Sequence, residues 1–196
     1  GWLAVLKIQP AGREDSLRQE YDLLRGVRHP QIPCPLSYLE WEGAEYLVRE
    51  YVEGVSLYDA VTDKGPLSPD KIRSIALSLC QVLHYLHSQH PPVICRDVKP
   101  QNVVLDSSGC CHLIDLGTAR RHRPEKQGDT VFMGTQVTAP PEQFGYQQTE
   151  QRSDIYSLGI LMRFLSTGNF DLPTSDVPLG SLGRIIRRCT AFDPRN

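Results

Sequence analysis

The sequence predicts an α+β fold in which strands come first and helices follow. Three observations carry this. Residues 2–8 read as a strand, with Leu3, Val5 and Lys7 on one face and Trp2, Ala4, Leu6 and Ile8 on the other, and the strand-like runs 35–41 and 44–51 meet at the turn Glu42-Gly43. Farther on, Ile72, Ile75, Leu79, Leu83 and Leu86 recur at helical spacing, as do the apolar residues of 152–167. Between these helices, 103–115 reads as two short strands about a Ser-Ser-Gly turn.

Composition bounds the class. With 196 residues, 40% hydrophobic and 22% charged, the chain can bury a core, and a net charge of −2 argues against nucleic acid as the main partner. No apolar run reaches membrane-spanning length. The six cysteines form no Cys-x-x-Cys pair and most lie in apolar runs, which suits reduced thiols in a cytosolic compartment better than a disulfide scaffold.

Taken in order, the first strand places Lys7 beside apolar residues, where a cation needs an anion. The helix expected over 13–27 carries the stripe Leu17, Tyr21 and Leu24, and Glu20 falls on that stripe. A carboxylate on a buried face also needs a partner, so the simplest arrangement joins Lys7 to Glu20. Ser68-Pro69 is a cap followed by a first-turn proline, and the helix it opens runs toward the stop at Pro91-Pro92. His84, His87 and His90 have no matched acid or cysteine set and read as packing or surface residues.

The stretch 93–117 holds the chemistry. A short loop offers Asp97, Lys99 and Asn102, and the strand pair that follows delivers Asp115 at its end. Asp115 and Asn102 are hard oxygen ligands of the kind Mg2+ accepts, and Lys99 is a cation for a transferring phosphoryl group. Asp97 is left to orient an incoming hydroxyl and take its proton.

Arg96-Asp97-x-Lys99-Pro100-x-Asn102 followed by Asp115-Leu116-Gly117 resembles the catalytic loop and metal-binding triplet of the eukaryotic-type protein kinases. Ala4-Val5-Leu6-Lys7 is similar to that family's strand lysine, and Glu20 stands at the family's distance before His29-Pro30. The resemblance implies a two-lobed fold, with residues 1–51 as a partial N-terminal lobe and 52–196 as a mainly helical C-terminal lobe. It implies ATP and Mg2+ as cofactors and a protein serine or threonine hydroxyl as acceptor. Lys7, fixed by Glu20, would hold the inner phosphates, Asn102 and Asp115 the metal, while Asp97 and Lys99 would serve the transfer. The cofactor-binding set would be completed by Val5, Val104 and main-chain groups of Glu50 and Val52, in a hinge over 50–54.

The same comparison makes the run 118–138 an activation loop ending in Gly134-Thr135 and Pro140-Pro141-Glu142. Thr130 is then the candidate phosphoacceptor, Arg96 and Arg120 its cationic pocket, and Thr135 part of the substrate platform. Asp154 resembles the acid that anchors the catalytic loop from below. The string from Pro141 to Gly159 resembles bacterial members particularly, and a cytoplasmic kinase domain of a larger protein, with both ends cut and the Gly-rich loop missing, is the expectation.

Several positions depart from the family pattern. Arg49 takes the gatekeeper position, where a pairing with a carboxylate such as Glu20 is expected, Cys95 precedes Arg96 in place of His, and Leu116 replaces Phe. Two other readings stay open. One is a pseudokinase that binds nucleotide without transfer, and the other is a kinase-like small-molecule phosphotransferase, whose members usually lack the Lys99 and Pro-Pro-Glu features.

Overall fold

The computed structural model describes residues 3–13, 16–121, 151–170, 178 and 180–191. Strand β1 (Ala4–Pro10) is followed by helix α1 (Leu17–Arg25), then by β2 (Pro35–Trp41) and β3 (Ala44–Glu50). The three strands form one antiparallel sheet in the order β1-β3-β2. Glu42 (φ 48°) and Gly43 (φ 75°) both turn left-handed between β2 and β3, the backbone that a two-residue hairpin favours.

Alternation separates the sheet's two faces. Val5 and Lys7 lie on the face of Glu45, Leu47 and Arg49, the three residues of β3 that are buried. The opposite face pairs Leu6 with Val48, Ile8 with Tyr46 and Leu39 with Tyr46, and its residues Leu39, Leu6, Ile8 and Trp41 are 48%, 54%, 57% and 60% exposed.

Helix α1 begins where its apolar stripe does, at Leu17, and so later than the expected range 13–27. Ser16 is its N-cap, with a hydroxyl that accepts the Arg18 amide and donates to Glu45 Oε1. Glu45 Oε2 accepts the Leu17 amide at 2.8 Å, so the helix start is tied to the middle of the sheet. Leu17, Glu20, Leu23 and Leu24 form the buried face.

The helical part opens with β4 (Val55–Ser56) and α2 (Leu57–Lys64), which the sequence reading did not contain. Then come α3 (Pro69–His87), β5 (Val93–Ile94), a single 3-10 turn at Pro100–Asn102, β6 (Val103–Leu105), β7 (Cys111–Leu113), β8 (Arg120–Arg121), α4 (Gln151–Thr167) and α5 (Ser181–Cys189). Strands β4, β6 and β7 make a second small antiparallel sheet, and β5 pairs with β8.

Leu79, Leu83 and Leu86 of α3 pack in one core with Leu161 and Leu165 of α4 and with Leu113 and Leu116. Each such side chain contributes about 1.5–3 kcal/mol when fully buried. A Cβ added at Gly159 would stand 2.7 Å from Cys189 Cβ, so glycine is what lets α4 and α5 pack at this crossing. All six cysteines are free, in line with reduced thiols. Among the described residues no helix is long and apolar enough to cross a membrane.

Candidate active site

The site gathers where the inner face of the first sheet meets the β6–β7 hairpin. Lys7 Nζ donates to Glu20 Oε1 at 2.8 Å and to Oε2 at 3.1 Å, and it also reaches Asp115 Oδ1 at 2.8 Å. The Lys7–Glu20 pair foreseen from two misplaced charges is therefore formed, and Asp115 joins it. Glu20 is only 2% exposed; burial pushes its carboxyl up from the ordinary range, and Lys7 opposes that rise. Burial works the same way on Asp115, but Lys7 and the Gly117 amide, which donates to Oδ1 at 2.9 Å, outweigh it and hold that carboxyl below its usual value.

The hairpin fixes the spacing of the other members. Asn102 closes the 3-10 turn by donating its amide hydrogen to the Lys99 carbonyl, and the Asn102 carbonyl accepts the Ile114 amide at 2.9 Å, one residue before Asp115. Asn102 Nδ2 donates to the Asp97 carbonyl and to Asp97 Oδ2, at 3.1 and 3.0 Å. Lys99 Nζ stands 2.6 Å from the same Asp97 oxygen. Asp97, Lys99 and Asn102 thus form one bonded set within six residues of chain.

The loop is held from beneath by Asp154, which is fully buried at the start of α4. Its two oxygens accept the amides of Cys95 and Arg96 at 2.9 and 2.8 Å, and His87 Nε2 hydrogen-bonds Oδ2 at 2.8 Å. Arg96 needs such an anchor because its φ of 69° is left-handed. His87 is accordingly a packing residue with a specific partner. Burial, with Asp154 adding to it, pushes the Cys95 thiol well above the ordinary range.

Val104 is buried on β6, and Val5 lies in register with Arg49. Glu50 ends β3 with its amide on the Cys34 carbonyl, and its side chain accepts the Cys34 amide at 2.9 Å. Gly54 follows Val52 in the hinge, where an added Cβ would lie 2.2 Å from the Leu105 carbonyl oxygen and 2.7 Å from Val104 Cγ1. Arg120 Nη1 donates to the carbonyls of Gly117 and Ala119, and β8 carries it beside β5, two residues before Arg96. Thr130, Thr135 and Glu142 lie outside the described residues.

Arg49 does not meet the expectation of an ion pair. It is 5% exposed, its Nε has no hydrogen-bond partner among the described residues, and burial pulls its guanidinium down while Asp115 and Glu20 act on it only through space. Lys7 is the cation that engages both Glu20 oxygens and one of Asp115, while Arg49 acts on the two carboxylates from farther off.

The donor set fits a divalent cation. Asn102 spends its amide nitrogen on Asp97 and Asp115 spends Oδ1 on Lys7 and Gly117, which leaves the Asn102 amide oxygen and Asp115 Oδ2 as hard ligand atoms at the two ends of one hairpin.

A family model described as protein kinase domain matches residues 4–181. The chain belongs to the protein kinase family. This kinase domain is 33% identical over 170 residues to "Serine/threonine-protein kinase 36" of Pongo abelii, covering 85% of this chain and 13% of that protein. It is 34% identical over 177 residues to "Serine/threonine-protein kinase PknB" of Mycobacterium tuberculosis, covering 87% of this chain and 28% of that one. The kinase chain thus spans less than a third of either relative. A bacterial relative is present as the Pro141–Gly159 string suggests, and a mammalian one stands beside it at similar identity.

Glu45 is the positioning residue that sequence reasoning missed. Its signal was a carboxylate near the start of β3, the central strand, whose neighbours in register are Gln9 and Glu40. Gln9 Nε2, Ser16, Tyr38 and the Leu17 amide all donate to it.

Proposed function

We propose that this chain transfers the γ-phosphoryl group of ATP to a serine or threonine hydroxyl of a protein. The observation that carries this reading is the bridged set Glu20–Lys7–Asp115, standing beside the bonded set Asp97–Lys99–Asn102. Family membership supplies the reaction class, since protein kinases act with ATP and a divalent metal. Lys7, steadied by Glu20, binds the inner phosphates, and Asn102 and Asp115 hold Mg2+. The metal, when bound, neutralises charge on the phosphate oxygens.

Asp97 takes the proton of the acceptor hydroxyl as its oxygen bonds to the γ-phosphorus. The bond to the bridging oxygen breaks and ADP departs, while Lys99 balances charge on the transferring group. Main-chain groups of Glu50 and Val52 bind adenine between Val5 and Val104. Arg96 and Arg120 receive a phosphate on Thr130, and Thr135 shapes the substrate platform. Residues 1–51 and 52–196 act as the two lobes, in a cytoplasmic setting and without nucleic acid as partner.

The test is mass spectrometry after incubation with Mg-ATP and a basic protein, run beside Asp97→Asn. Phosphoserine or phosphothreonine that vanishes in the variant supports the reading. Nucleotide binding without transfer in the wild type would overturn it in favour of a nucleotide-binding scaffold, a reading that the buried Arg49, in place of the family's usual apolar or hydroxyl residue, favours.

A further inference from the structure

The turn of the β6–β7 hairpin carries a second cluster that phosphoryl transfer does not use. Asp106, Cys110 and His112 each present one ligand atom there, and the three atoms lie within 4.8 Å of one another. The spacing has a backbone cause. Asp106 pairs with Cys110 at the mouth of the turn, its amide donating to the Cys110 carbonyl at 3.0 Å. Cys110 immediately precedes β7 and His112 lies in it, two residues on, so the extended chain brings both side chains to one side. Across the hairpin His112 is in register with Val104, two residues before Asp106.

The surroundings orient each group. Asp106 Oδ1 accepts from the Ser108 amide, the Ser108 hydroxyl and the Cys110 amide, which occupies that oxygen and turns Oδ2 toward His112 Nε2 at 2.9 Å. Gln31, itself 7% exposed, is held by Ser78 and by the Cys111 carbonyl and points Nε2 at Cys110 Sγ, 3.7 Å away. Such outer contacts are what fixes ligands around a metal. Asp106 and His112 also line a cavity of about 570 Å³ behind the hinge, together with Glu50 and Glu53, which provides an entry path and room for a further ligand.

We propose that Asp106, Cys110 and His112 form a binding site for a borderline-soft divalent cation, Zn2+ foremost. One thiolate, one imidazole and one carboxylate match that ion and disfavour Mg2+ or Ca2+. Tetrahedral coordination at the usual bond lengths separates donors by about 3.3–3.8 Å. Reaching it needs Asp106 and His112 to part slightly, and the ion takes the place of the proton they share. Because Asn102 and Asp115 bracket this hairpin, the ion would brace the spacing of the two. The site stands apart from the phosphotransfer reading and does not depend on it.

Cobalt reports such a site directly. The reduced chain is titrated with Co2+ alone while thiolate-to-cobalt absorption in the near ultraviolet and d–d absorption in the visible are followed. The expected result is one ion per chain with both bands. Zn2+ displaces it, Cys80→Ser leaves it unchanged, Cys110→Ser abolishes the thiolate band, and His112→Gln weakens binding at least about tenfold. Circular dichroism establishes that the variants are folded, and His112→Gln reads the site independently should Cys110→Ser fail to fold. Absence of a thiolate band in the wild type, or a band that survives both Cys110→Ser and His112→Gln, overturns the proposal.

Discussion

Asp154 accepts the amide of Arg96 at 2.8 Å, and so one buried carboxylate on α4 holds a backbone that stands in the left-handed region 58 residues earlier in the chain. The same carboxylate takes the Cys95 amide and the His87 ring nitrogen. Asp154→Ala leaves these donors buried and unsatisfied, with an expected loss of about 3 kcal/mol or more in urea denaturation. Asp154→Asn keeps one acceptor oxygen and should lose roughly half as much. Equal stability of all three proteins would show that the anchor contributes nothing.

Lys7 and Glu20 make a second prediction. Burial raises the Glu20 carboxyl in the folded state, with Lys7 working against it. A raised folded value means that stability is fully present below the unfolded value and is lost as pH rises through the folded one. Lys7→Met removes the opposing cation, so its stability deficit relative to wild type should grow as pH climbs from about 5 to 8. Adding Glu20→Gln should recover most of that deficit, which melting curves across this pH range would measure.

Glu45 behaves in the opposite sense. Burial would raise its carboxyl, but hydrogen bonds from Ser16, Gln9, the Leu17 amide and Tyr38 together hold it down to about 2. A depressed folded value gives stability that is present above the unfolded value, near 4.5, and lost as pH falls through about 2. Wild type and Glu45→Gln should therefore differ most above pH 5 and converge near pH 2 when unfolding is followed by circular dichroism. Because Glu45 tethers the start of α1, the variant should also weaken Lys7-dependent nucleotide binding. Rescue by Glu45→Asp is not expected, since the shorter side chain falls short of the Leu17 amide.

At the hinge, Gly54→Ala drives a methyl group against the Leu105 carbonyl and Val104. Overpacking of this kind costs about 1–3 kcal/mol. Spent on displacing the hinge from the hairpin, that is a loss of about fivefold or more in ATP affinity, which calorimetric titration would read. Unchanged affinity would mean that the hinge and Val104 do not share the nucleotide.

How far the site was legible from residues alone depended on where each signal lies. Lys7 and Glu20 announced themselves because each put a charge on an apolar face, and the Asn102 and Asp115 pair because a short hairpin fixes its own ends. Asp115 as a second partner of Lys7 depends on how the first sheet meets the hairpin, and no local pattern encodes that meeting. Where Arg49 stands relative to Glu20 and Asp115 has the same origin, since nothing within β3 tells that Lys7 is the cation that reaches them. Helix α2 was missed although Ser56, whose hydroxyl accepts the Asp59 amide at 3.0 Å, is a readable cap. Its eight residues are too few for a periodic stripe to stand out. The Asp106, Cys110 and His112 cluster hid in plain order because two of its members flank a turn whose hydrogen bonds already account for Asp106.

The outward face of the first sheet carries a practical consequence. Leu6, Ile8, Leu39 and Trp41 stand about half exposed around Tyr46 and Val48, a contiguous apolar surface facing water among the described residues. Colloidal behaviour then becomes a property of this chain as definite as its chemistry. In dilute buffer it should take up hydrophobic dyes while still folded and scatter light increasingly with concentration.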